Sequence, residues 1–174
     1  MENMFRDLKA SEIDCRISQI GEDWLILLLY KDARVDQDIL DETVGAMNWQ
    51  RKHSRDNANC IVEIWDKEKE QWIGKEDTGT ESFSQAEKGL ASDSFKRACF
   101  NWGIGRELYT APFIFIPLKD MESNFNYQLK EKNGKRVTNT KFHVEAIQIT
   151  DKSITGLAIK NDKNKRVFVW KKQV

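Results

Sequence analysis

Lys96 and Arg97 stand side by side in SDSFKRACFNWGIGRELY (92–109), with Phe100 three residues on and a third cation, Arg106, beyond two glycines. Cations fixed beside an exposed aromatic suit a polyanion whose bases are accessible, which means single-stranded nucleic acid. At 100° per residue, a helix through this stretch sets Ala91, Phe95, Ala98 and Trp102 on one narrow face. Lys96, Arg97 and Phe100 fall on the opposite side, with Phe100 between the two cations. A plainer explanation stands beside this one. Asp93 precedes the pair by three and four residues, the spacing of ordinary helix-surface ion pairs. A second basic and aromatic cluster, Trp49 with Arg51, Lys52 and Arg55, adds to the nucleic-acid reading, although a surface strand with an inward Trp49 explains it equally well.

Other chemistries lack their residues. The GIGREL run (103–108) has no third glycine and follows a helix, where a dinucleotide fingerprint needs a strand before and a helix after. No GxxxxGK[ST] run is present. Cys15, Cys60 and Cys99 are scattered, with only His53 and His143 to supplement them, so reduced structural thiols are expected rather than a zinc site. Neither histidine sits in a recognisable nucleophile context. The expectation is a protein that is not an enzyme and uses no metal or other cofactor.

The elements that must position these residues read as α+β. Alternation over 13–20 and the apolar run 24–30, separated by Gly21-Glu22-Asp23, read as a strand pair. Asp36 is placed to cap a helix with Leu40, Val44 and Met47 inward, weakened by Gly45 and ending near Asn48. Residues 49–55, 60–65 and 70–75 read as strands, with a charged turn at 66–70. Thr80 or Ser82 is expected to cap the long helix, Ser82 and Gln85 having capping-box spacing. Gly103 and Gly105 offer left-handed backbone at its end. Pro112 and Pro117 bracket a short apolar segment. From Phe125 to Trp170, turns at Asn133-Gly134, Asp151-Lys152 and Asn161-Asp162 punctuate a β-meander.

A chain of 174 residues, 40% hydrophobic and 32% charged, fits one soluble globular domain. Its formal net charge is zero, which argues against a generic nucleic-acid-coating protein. The charge is segregated: residues 1–50 hold 5 Lys/Arg against 11 Asp/Glu, and residues 121–174 hold 12 against 5. Local cation patches still attract phosphate. No signal peptide is recognised, and the run Trp24–Tyr30 is too short to span a bilayer. A cytoplasmic protein without a membrane partner is expected.

The stretch KEDTGTESFSQAEKGLASDSFKRACFNWGIGRELY (75–109) resembles the signature helix of the Rad fifty-two superfamily of single-strand annealing proteins, nearest to the Sak-type bacteriophage recombinases. VGAMNWQRKH (44–53) resembles the helix, Asn-Trp turn and strand that precede it in that family. The resemblance covers residues 35–110. It implies an antiparallel β-β-β-α core with the long helix packed on the sheet, assembly into a homo-oligomeric ring or filament, and ATP-independent pairing of complementary strands in recombination and repair inside a bacterial host cell. A Lys-Arg pair on this helix contacts the DNA backbone in the family, and Lys96 and Arg97 match it. Where eukaryotic members carry a further arginine, this chain has Phe100, so that contact is lost or replaced by stacking. The expected DNA-binding set is Lys96, Arg97, Phe100, Arg106, Arg51, Lys52 and Arg55. A single-strand-binding protein or an exonuclease is a further candidate partner. Residues 1–118 would form the annealing domain and 119–174 a β-rich extension of it, to which no function is transferred. The alternatives are a general single-stranded DNA or RNA-binding module, a small metal-dependent nuclease, and a purely structural or partner-binding protein.

Overall fold

The computed structural model describes residues 4–80, 86–117, 130–132 and 135–173. In chain order the elements are β1 (Asp14–Ile20), β2 (Trp24–Tyr30), α1 (Ala33–Val44), β3 (Trp49–Ser54), β4 (Asn59–Asp66), β5 (Gln71–Thr78), α2 (Ala86–Trp102), β6 (Ile114–Pro117), β7 (Lys130–Lys132), β8 (Lys135–Val137), β9 (Phe142–Thr150), β10 (Ser153–Asn161) and β11 (Arg166–Lys171). The class is mixed α+β, two helices with antiparallel strand pairs. Among the described residues no helix is long and apolar enough to cross a membrane.

The chain divides into two compact units. One comprises residues 1–7 and 32–106, the other 8–31 and 107–174. This division does not follow the boundary at residue 118 expected from sequence. β1 and β2 lie in the second unit because Asp14 and Cys15 pair with His143 and Phe142 of β9.

The first unit holds the sheet β3-β4-β5 and both helices. Register places Trp49, Arg51, His53, Cys60, Val62, Ile64, Ile73 and Lys75 on one face of this sheet. Cys60, Val62 and Ile64 of that face are buried, as are Leu90, Phe95, Ala98 and Cys99 of α2. The Trp102 indole donates to Val62 O at 2.9 Å, and Ser94 Oγ donates to Asn57 O at 2.9 Å, so α2 is tied to β4 and to the β3–β4 turn. Gly79 lies against α2 itself. A Cβ there would stand 3.0 Å from Leu90 O and 2.6 Å from Ser94 N, the latter closer than real Cβ atoms come.

Helix α1 begins one turn earlier than the Asp36 cap would set it. Asp32 is the cap, accepting from Arg34 N at 2.8 Å, while Asp36 sits in the first turn and is fully buried. Ile39 and Leu40 supply the buried stripe, and Met47 is 89% exposed rather than inward. The helix ends at Val44 because Gly45 takes φ +87°, and Asn48 Nδ2 then caps Val44 O at 2.7 Å.

The second unit is a six-stranded sheet of order β11-β10-β9-β1-β2-β6, with the two-stranded β7-β8 beside it in sequence. Leu25, Leu27, Ile114, Ile116, Phe142, Val144, Leu157 and Ile159 fill its inner side. The end strands β6 and β11 approach each other, so the sheet curls toward closure. The meander β9-β10-β11 appears as expected, its first turn at Asp151 and Lys152 with φ of +50° and +57°. The Asn133-Gly134 turn lies outside the described residues, as do Ser82 and Gln85.

Candidate nucleic-acid interface

α2 buries a wider arc than four residues. Leu90, Ser94, Phe95, Ala98 and Cys99 are buried, and Ala91 and Trp102 are half-buried. Lys96, Phe100 and Arg97 lie on the remaining arc, all three half-buried, with Asp93 between Phe100 and Arg97. Asp93 shares that arc. Its Oδ2 accepts from Arg97 Nε at 2.9 Å and from Thr80 N at 2.9 Å. Burial pushes the Asp93 carboxyl up, but the Thr80 N–H, the Arg97 guanidinium and Lys96 outweigh it and hold the group below the usual carboxylate range. The pair is half-exposed, 37% and 29% for the two side chains. Such a pair contributes only about 0.3–0.5 kcal/mol. Its effect is to fix the guanidinium rather than to hold the helix together. Lys96 also acts on Asp32 at the start of α1, although Arg34 is the main cause of that carboxyl's lowered value.

The end of α2 is a complete Schellman cap. Gly103 N donates to Phe100 O at 2.9 Å and Ile104 N to Cys99 O at 3.1 Å, with Gly103 at φ +101° and Ile104 buried. Gly105 is left-handed too, at φ +74°. Arg106 turns back onto this end: Nε donates to Phe100 O at 2.7 Å and an Nη to Asn101 O at 3.0 Å. Lys75 of β5 donates to the same Asn101 O at 2.8 Å and lies 4.6 Å from the centre of the Trp102 ring. Two cations thus sit at the negative end of the helix dipole. Arg106, taken from sequence as a DNA contact, is a helix cap in this structure, and Lys75 was missed.

The second basic cluster splits across the sheet. Arg51 and Lys52, being adjacent on β3, point to opposite faces. Arg51 lies 4.7 Å from the centre of the Phe95 ring, on which Trp49 stacks at 6.1 Å. Burial and the Arg51 charge together hold His53 below its ordinary value. On the other face Lys52 Nζ pairs with Glu63 Oε2 at 2.8 Å, and Gln50 Nε2 donates to the same oxygen. Arg55 is exposed in the β3–β4 turn, with φ +51°. The structure therefore brings Arg51 to α2 at Phe95, and carries Lys52 away from it.

No protein-family model matches the chain, and neither a curated protein nor a solved structure matches it. Among the described residues no three His, Cys, Asp or Glu side chains are grouped to hold a metal ion.

Proposed function

We propose that this chain binds single-stranded DNA along the outward arc of α2 and pairs complementary strands without ATP, in recombination or repair. The observation that carries the reading is the grouping of Lys96, Phe100 and Arg97 on the half-buried arc of α2, away from its packed face. The order β3-β4-β5-α2 agrees with the β-β-β-α core, helix on sheet, that the resemblance at residues 44–53 and 75–109 implies.

Annealing requires no covalent step. The obstacles are phosphate repulsion, folding of each strand on itself, and the search for register. Cations on α2 would neutralise phosphate and release counterions. Self-association into a ring or filament would repeat the track, so that few cations per copy suffice by avidity. That reconciles strand binding with zero net charge. Phe100 would stack on a base, adding about 1–3 kcal/mol.

The test is a low-salt titration of a fluorescent oligo-dT with the wild-type chain and with Lys96→Ala/Arg97→Ala. The double variant is expected to lose binding while circular dichroism and sizing behaviour persist. Unchanged affinity in a folded double variant removes α2 as the binding surface.

A further inference from the structure

The outer face of the second unit carries a row of aromatic rings that the reading of α2 does not use. Alternation puts Leu25 and Leu27 inside the sheet and Trp24, Ile26 and Leu28 outside. β6 does the same, with Ile114 and Ile116 inside and Phe115 outside. Antiparallel register sets Phe115 opposite Ile26 and diagonal to Trp24. The Trp24 and Phe115 rings stack at 5.9 Å and 28°, and Phe115 stacks with Phe113 at 6.3 Å and 25°. Phe113 is 71% exposed and Phe115 42%. The row is built rather than incidental. A Cβ on Gly21 would overlap the Trp24 indole, so glycine at the β1–β2 turn is what lets that ring lie where it does. Beyond Phe113 the surface falls into a concavity of about 360 Å³ bounded by Leu28, Leu108 and Pro112.

Charge distinguishes among possible occupants. The unit bearing the rings holds 16 Lys/Arg against 11 Asp/Glu, a net +5, whereas the unit bearing α2 holds 12 against 17, a net −5. On the ring face itself, Arg16 of β1 pairs with Leu28 and lies 6.0 Å from the centre of the Tyr30 ring. On its far side β6 is approached by β11, whose outward residues include the exposed Val169 and Lys171. A row of near-parallel rings flanked by cations, on the cationic unit of the chain, matches a strand with stacked bases and a phosphate backbone.

We propose that the outer face of β2 and β6, through Trp24, Phe115 and Phe113, is a base-stacking platform for single-stranded nucleic acid, separate from α2. The proposal rests on the single-strand reading above and adds a second surface to it. The two surfaces share the work: α2 supplies charge and one ring, Phe100, and the β2–β6 rings extend the sequence-tolerant stacking.

The experiment is photo-cross-linking of the full chain to oligo-dT carrying 5-iodouracil, with adducts mapped by peptide mass spectrometry. Adducts are expected on the peptides holding Trp24, Phe113 or Phe115. In Phe113→Ser/Phe115→Ser these adducts are lost, affinity falls about tenfold for each ring removed, and the salt slope is unchanged because a ring neutralises no phosphate. Phe113→Ser alone, at the most exposed ring, gives the same sign if the double variant fails to fold. Adducts confined to 89–106, or no adducts at all, overturn the platform. So does a double variant with unchanged affinity and a later elution on sizing, which assigns the face to a second copy of the chain. Adducts at the platform together with unaltered binding by Lys96→Ala/Arg97→Ala would instead keep the platform and remove α2.

Discussion

Asp93→Asn separates the structural from the functional reading of α2, because the two expect different signs. Asp93 accepts from Thr80 N and from Arg97 Nε, both at 2.9 Å, and is half-buried. Asparagine keeps one acceptor oxygen but loses the charge. The lost ion pair contributes about 0.3–0.5 kcal/mol. The weakened bond to the Thr80 N–H adds about 0.5–1 kcal/mol, since bonds to a charged acceptor are about twice as strong as neutral ones. Stability should therefore fall by about 1 kcal/mol in urea unfolding. Asp93 is depressed in the folded state, so its contribution is present above the unfolded carboxylate value of about 4 and is lost as pH falls through the folded value. The difference between variant and wild type should shrink at acid pH. Binding should move the other way. Removing an anion beside Lys96 and Arg97 raises the charge of the track by one, so the plot of log K against log salt steepens by about 0.7, the single-strand increment per neutralised phosphate. Anisotropy of labelled oligo-dT at several salt concentrations reads this. A shallower or unchanged slope in a folded Asp93→Asn protein refutes the claim that these cations meet phosphate.

Two further outcomes follow from the packing and the charges. Gly79→Ala should cost about 1–3 kcal/mol in urea unfolding, because its Cβ meets the α2 backbone at 2.6 Å and the neighbour cannot yield as a side-chain tip would; an unaffected midpoint would show that β5 and α2 are not in such close contact. Glu145 is held at about 2 by Arg166 first and Lys160 next, through contacts of 2.6 and 2.8 Å. Its stabilising effect should persist above about 4.3 and disappear as pH drops through about 2. An NMR titration of its side chain with an ordinary midpoint would show the triad open in solution.

The strands were legible because their turns are written locally. Asp66 accepts from Lys69 N and closes the β4–β5 hairpin, and Asp151-Lys152 closes β9–β10 with left-handed backbone at both residues. The Schellman end of α2 was legible in Gly103 for the same reason. Helix α1 slipped by a turn because Asp32 and Asp36 are equal candidates by type, and only packing shows that Asp36 is inside. The division into two units was not legible. It depends on β1 pairing with β9 across more than a hundred residues, and no periodicity encodes which distant strand is the neighbour. The same limit hid Lys75: its role follows from the register Val62 opposite Lys75, which turns it toward Trp102. Arg106 was read as a DNA contact because sequence gives its charge but not the carbonyls of Phe100 and Asn101 that it meets.

Annealing is the activity at stake, and strand pairing measures it directly. Two complementary oligonucleotides bearing a donor and an acceptor fluorophore are mixed without nucleotide or metal, with and without the chain. The wild-type protein is expected to speed the appearance of energy transfer well above the spontaneous rate, and folded Lys96→Ala/Arg97→Ala to leave it at that rate. Spontaneous kinetics with the wild-type chain present, at a concentration where it binds each strand, would contradict the account.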